Sequence, residues 1–271
     1  MTPHAHGGTG LGALWPAVAI GLLAAGYVLG WRRLGRSSHP IPAWRALSFH
    51  LGLACAGLAL APPIGDGDGR HLVYHMVQHL LLMTVAPPLI FLGEPVLALR
   101  RGWSHETIPP GDPRRRPALG RLVHPAVCWL AATVTLIAWH IPALFGLALR
   151  SPAWHAVEQA SFLVSGLLFW WPVVQPWPSR AEPRWSTVLY LFLATLPCDI
   201  LAGFLVFSDR IAYSIYLGSS PGVAVLEDQQ CAGAVMWTCV TLIYLVAGAI
   251  VSMQLLVAPA APSPHAERVT P

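Results

Sequence analysis

Histidines at 71, 75 and 79 interrupt an otherwise apolar run, HLVYHMVQHLLLM, over residues 71–83. A spacing of four puts His75 and His79 on one helix face, one turn apart, and Met83 continues the stripe. Neutral imidazole is the commonest protein metal ligand, and imidazole combined with thioether suits copper. A His-x3-His pair on a helix is a sound half-site for a metal. Ionisable side chains are costly inside an apolar span, where they face the bundle interior and mark sites or ion paths. The plainer alternative is a ring bonded to water or a carbonyl. It suits His71, at the aqueous edge, better than it suits the pair.

Other donors stand in similar surroundings. His140 lies in AWHIPALF and His155 in SPAWHAVEQ. Each abuts a loop, so for either ring alone a ligand role and a hydrogen-bonding role weigh equally. Glu158 follows His155 by one turn, close enough to orient that ring as an acceptor, and Gln78 precedes His79. The stretch LEDQQCAGAVMW sets Asp228, Gln229 and Gln230 before Cys231 and Met236. Met236 is a soft donor suited to Cu(I), or a packing residue; Asp228 suits a helix N-cap, and Cys231 suits packing. Asp199, in TLPCDILAGF, is either hydrogen-bonded to a neighbouring helix or part of a proton or ion path. His4, His6, His39, His105, His124 and His265 fall in tails, loops or span edges.

The elements that must carry these residues are membrane spans. The chain has 271 residues, 55% of them hydrophobic and 10% charged, against about 25% charged in soluble domains. Apolar segments of about 20 residues cross about 30 Å of hydrocarbon as helices. Seven are predicted, near 11–31, 44–62, 72–99, 122–147, 154–175, 186–208 and 230–257. The third is overlong, and Pro87, Pro88 and Pro95 must kink or break it. A short external tail (1–10) precedes this membrane domain (11–257), and a Pro/Ala-rich tail (258–271) is expected to be disordered.

All 16 basic residues are Arg. Twelve, from Arg32, Arg33, Arg36 and Arg45 through Arg100, Arg101, Arg114, Arg115, Arg116 and Arg121 to Arg180 and Arg184, fall in the loops after spans one, three and five. The opposite loops hold Arg70, Arg150 and Arg210 beside Asp66, Asp68, Asp209, Glu227 and Asp228. Basic loops stay in the cytoplasm, so the N-terminus is expected outside and the C-terminus inside. Span one, with no basic residue before it, reads as an uncleaved anchor. The arginines sit in short loops beside apolar spans and give no nucleic-acid footprint. The five cysteines form no CxxC pair, so no disulfide framework is signalled. On this topology His75, His79, His140 and His155 all fall near the outer leaflet.

HMVQHLLLMTVAPPLIFLGEP, WHIPALF, HAVEQASFLVSGLLFWWPVV and DQQCAGAVMW resemble the signature blocks of the CtaG family. These are the multi-span cytochrome c oxidase assembly factors of Gram-positive type, distinct in fold from the single-span copper chaperones that share the name. The resemblance covers roughly residues 70–255. It implies a seven-span protein of the bacterial plasma membrane that helps assemble an A-type haem-copper oxidase through copper delivery. His75, His79, His140 and His155 match the family's motif histidines, and Asp228, Gln229 and Gln230 match its Asp-Gln-Gln block. Related domains fused to copper-resistance membrane proteins keep copper uptake or tolerance open.

The resulting expectation is an all-α, seven-helix integral membrane protein that catalyses no covalent reaction. It would bind copper through His75, His79, His140, His155, Met83 and Met236, with Gln78, Glu158, Asp199, Asp228, Gln229 and Gln230 in support. Its partners would be oxidase subunits and the lipid bilayer. One rival is a b-type haem protein with axial histidines from the third span and the fourth or fifth. Another is a transporter using Asp199 and the broken third span.

Overall fold

A chain that buries its backbone polar groups in lipid must pair them within each segment, and helices do so. The structure is a computed structural model describing residues 10–35, 40–61, 71–103, 124–175, 184–218 and 222–257. Among the described residues every regular element is helical. In chain order these are α1 (Gly10–Leu34), α2 (Ala43–Leu60), α3 (Leu72–Leu92), α4 (Pro95–Trp103), α5 (Pro125–His140), α6 (Pro142–Arg150), α7 (Pro152–Val174), α8 (Trp185–Phe207) and α9 (Gly222–Val257). A 3-10 turn, Ser214–Gly218, precedes α9. The tails 1–9 and 258–271 lie outside the described residues, as do Arg36, Arg70, Arg114, Arg115, Arg116, Arg121, Arg180, Asp66 and Asp68.

Among the described residues, six helices are long and apolar enough to cross a bilayer. The expected fourth span is the pair α5 and α6, bent by 76°, and a seventh crossing requires that pair to count as one. The outward surface is apolar: Ile200 is 74% exposed and Phe207 75%. Side chains of this kind left facing outward suit hydrocarbon, not water.

Prolines shape the third span differently from the expectation. Pro87 and Pro88 do not break α3; one π-helical turn, Leu81–Val85, precedes them, with Ala86 N–H bonded to Leu81 O. Proline offers no N–H and crowds the carbonyl four residues back, and the wider turn accommodates both defects. The break falls at Gly93 and Glu94, where Glu94 adopts φ 52°, directly before Pro95, which opens α4 as an expected breaker. The span therefore ends at Leu92 rather than near residue 99. The last helix begins at Gly222, ahead of the expected 230.

Two cores result. The smaller joins α1, α2 and α4 around Tyr27, which stacks on Phe49 at 4.1 Å and donates to Gly93 O at 2.7 Å. Buried Glu94 pairs there with Arg45. The larger core runs through α3, α5, α7, α8 and α9 and contains the chemistry. The π turn packs against α7 where Gly166 sits, and a Cβ at that position would lie 2.6 Å from Met83 O.

Candidate metal centre

His75 and His79 occupy the first two turns of α3, and Glu158 faces them from the start of α7. His75 and Glu158 are fully buried, and His79 is 5% exposed. Glu158 Oε1 lies 3.2 Å from His75 Nε2 and 3.4 Å from His79 Nε2, and one donor atom from each residue falls within 4.8 Å of the others. Two ligands sharing one ion at about 2.0–2.1 Å in tetrahedral geometry sit about 3.3 Å apart. The two imidazoles and the carboxylate therefore fit a metal with little rearrangement. Glu158 was expected to orient His155; it stands in the donor set instead.

The other two histidines flank this centre. The rings of His155, His75, His79 and His140 follow one another with centroid separations of 6.0, 4.2 and 6.1 Å. Pro142 sets the place of His140. The residue before a proline avoids the α region, so Ile141 turns extended at ψ 124° and α5 stops at His140. His140 Nδ1 donates to Leu136 O at 2.7 Å, and its backbone carbonyl accepts from Tyr213 Oη at 3.1 Å. Burial pushes the Tyr213 hydroxyl well above its ordinary range, so it remains a donor. On the other side His155 Nε2 donates to Gln78 Oε1 at 3.2 Å, while Gln78 Nε2 donates to Ala59 O at 2.8 Å. Gln78 thus ties α2, α3 and α7 together beside the centre. Phe162 stacks on His79 at 3.8 Å and Phe145 meets His75 edge-on at 4.8 Å, which keeps water away.

Met83 and Met236 offer sulfur donors beside His79. They line a cavity of about 50 Å³ together with His79 and His140. Met76 and Cys198 line it too. Neither was singled out in the sequence, although Met76 lies three residues before His79 and seven before Met83, on a common helix face.

The acidic and amide cluster of α9 braces the backbone. Asp228 lies inside α9, so it does not cap its own helix; its Oδ2 accepts the N–H of Leu72 at 2.5 Å and caps α3. Gln229 Oε1 accepts from Ala212 N–H at 2.7 Å, and its Nε2 donates to Arg210 O at 3.2 Å, holding the segment after α8. Gln230 is half-buried and Cys231 exposed. Asp199 is half-buried in α8, and its Oδ1 is buried without a hydrogen-bond partner among the described residues. His71 stands at the exposed edge, 3.9 Å from Asp228 Oδ1.

The family model described as cytochrome c oxidase caa3 assembly factor matches residues 25–258. The chain belongs to this family. The matched region contains every donor named above. Similar curated proteins include ML1998 of Mycobacterium leprae (strain TN), described as uncharacterized, 26% identical over 239 residues; the match covers 82% of this chain and 35% of that protein. Mb0105 of Mycobacterium bovis, also described as uncharacterized, is 25% identical over 232 residues, covering 80% of this chain and 35% of that protein. The chain thus spans about a third of the length of the curated relatives it matches. No solved structure matches the chain.

For a member of this oxidase-assembly family, the donor types divide by chemistry. Two imidazoles and a carboxylate suit a divalent first-row ion, whereas thioethers suit a soft monovalent one. Glu158 Oε2 is buried without a hydrogen-bond partner. An ionised carboxylate so placed is costly unless a cation, proton or metal, neutralises it.

Proposed function

We propose that the protein carries copper as cargo in the bacterial plasma membrane, holding it between His75, His79 and Glu158 and releasing it to an oxidase subunit during assembly. The observation that supports this most directly is the fully buried carboxylate between two buried imidazoles at ion-sharing separations. Membership of the caa3 assembly family supplies the partner, a cytochrome c oxidase under construction.

Each residue contributes by holding and positioning. His75 and His79 offer neutral imidazole nitrogens, and Glu158 lowers the net charge of the loaded site. Phe145 and Phe162 exclude water, which strengthens every electrostatic contact within. Gln78 and His155 fix α3 against α2 and α7. Loading and release exchange ligands on the metal and make no covalent bond in a substrate, so the protein acts as a carrier and not an enzyme. The arginine asymmetry supports a release face on the outer side, with the N-terminus outside.

Metal analysis of the detergent-purified protein after copper loading and gel filtration tests the proposal. Wild type should retain copper, and the His75→Ala/His79→Ala variant should lose the equivalent held at this centre. Retention of the same amount by the double variant would overturn the assignment.

A further inference from the structure

The cavity beside the carboxylate centre has a different chemistry. Three of the five methionines in the chain, Met76, Met83 and Met236, line it, and Cys198 adds a fourth sulfur. His140 contributes a nitrogen. Its Nδ1 proton is given to Leu136 O, so Nε2 is left as a lone-pair donor, and this atom is buried without a hydrogen-bond partner. A buried water needs two to four polar partners, and thioethers are only weak acceptors. Thr84, Thr133 and Tyr244 also line the cavity, so the sulfur donors, and not dryness, mark it for an ion. Its size, about 50 Å³, suits a single ion with its ligands closing inward.

We infer that this cavity is a second metal site, separate from the His75–His79–Glu158 centre, taking a soft monovalent d10 cation, Cu(I), through Met76, Met83, Met236 and His140 Nε2. The inference rests on the reading of copper as cargo and divides that cargo by oxidation state. Soft sulfur donors select Cu(I), and the imidazole–carboxylate set selects a divalent ion. His79 touches both sites, lining the cavity while facing Glu158, so the two lie side by side and each fills from its own oxidation state. No electron changes hands: each site holds the ion in the state in which it arrives. The methionines come from α3 and α9, and the nitrogen from α5, so the site forms only where three helices meet.

The test titrates the full-length purified protein with Ag(I), a redox-inert stand-in for Cu(I), and separately with Zn(II). Wild type should bind one equivalent of each, the Ag(I) equivalent surviving saturation with Zn(II). Met76→Leu/Met83→Leu/Met236→Leu keeps side-chain volume nearly constant; it should bind Ag(I) at least tenfold more weakly and keep Zn(II). Glu158→Gln should show the reverse. Met236→Leu alone serves as a milder variant if the triple variant accumulates poorly, with the same direction of change. Wild-type Ag(I) affinity in the methionine variants would overturn the second site. Joint loss of both ions in every variant would show one composite site and overturn the separation. Zn(II) retained in Glu158→Gln, with Ag(I) lost from the methionine variants, would leave the soft site standing and remove the carboxylate centre. If wild type bound neither ion, both assignments would fall.

Discussion

Glu158 is where a single side chain most changes what the protein can do. It is fully buried and faces two histidines on another helix. Glu158→Gln keeps the shape but removes the charge, and the retained divalent metal should fall at least about tenfold in affinity, measured by competition with a chromogenic chelator. His79→Ala should leave the protein inserted and abundant while the activity of the partner oxidase at limiting copper falls about tenfold or more. Leu81→Ala, two residues on, should alter packing without changing copper dependence. Activity lost only in proportion to protein abundance in His79→Ala would make this ring structural. The pairing of His75 with His79 was legible because a four-residue spacing leaves few other readings for imidazoles in an apolar helix. The partnership with Glu158 was not, because the sequence displays only a residue's neighbours on its own helix, and His155 looked nearer. Met76 escaped notice for a related reason: a methionine in an apolar run reads as core until the cavity it lines is seen.

The elements carry their own constraints, and α3 carries the most. Its π turn fits against Gly166, where a Cβ would come within 2.6 Å of Met83 O. Gly166→Ala should destabilise the fold by about 1–3 kcal/mol, read as a lowered thermal midpoint in detergent; an unchanged midpoint would show that α7 shifts freely away. Buried Glu94 supplies a second test. Arg45→Ala takes a paired cation from that buried carboxylate and should destabilise more than Arg45→Ala combined with Glu94→Gln, because the double change also removes the buried charge. Proline content announced a defect in the third span, yet not its form. Pro87 and Pro88 are absorbed by an enlarged turn, and the chain parts at Gly93 and Glu94, directly before Pro95, the one of the three prolines that does mark the break. The bend after His140 was missed, since 122–147 was expected as one span; Ile141–Pro142 carried its signal, and the 76° angle depends on packing that no local rule supplies.

At the scale of the molecule, membrane orientation is the property most open to a direct experiment. A fluorescent reporter active only in the cytoplasm should light when fused after Val257 or near Arg115, and stay dark near Asp68 or Ser219. The opposite pattern would place the histidine cluster on the cytoplasmic side and exclude release to the outer face. Helix-rich architecture and most span limits were readable from hydropathy, because lipid allows a segment few alternatives. The joining of distant helices was not. The bond from Asp228 to the N–H of Leu72 links positions 156 residues apart, and this link bears on biosynthesis. The ribosome releases His75 and His79 early, Glu158 midway, and Asp228 with Met236 last. Until the final helix inserts, the amide end of α3 lacks its cap and the sulfur-lined chamber lacks a wall. A nascent chain stalled before Gly222 should therefore capture no Ag(I) in that chamber, so the order of synthesis itself guards an unfinished protein against premature loading.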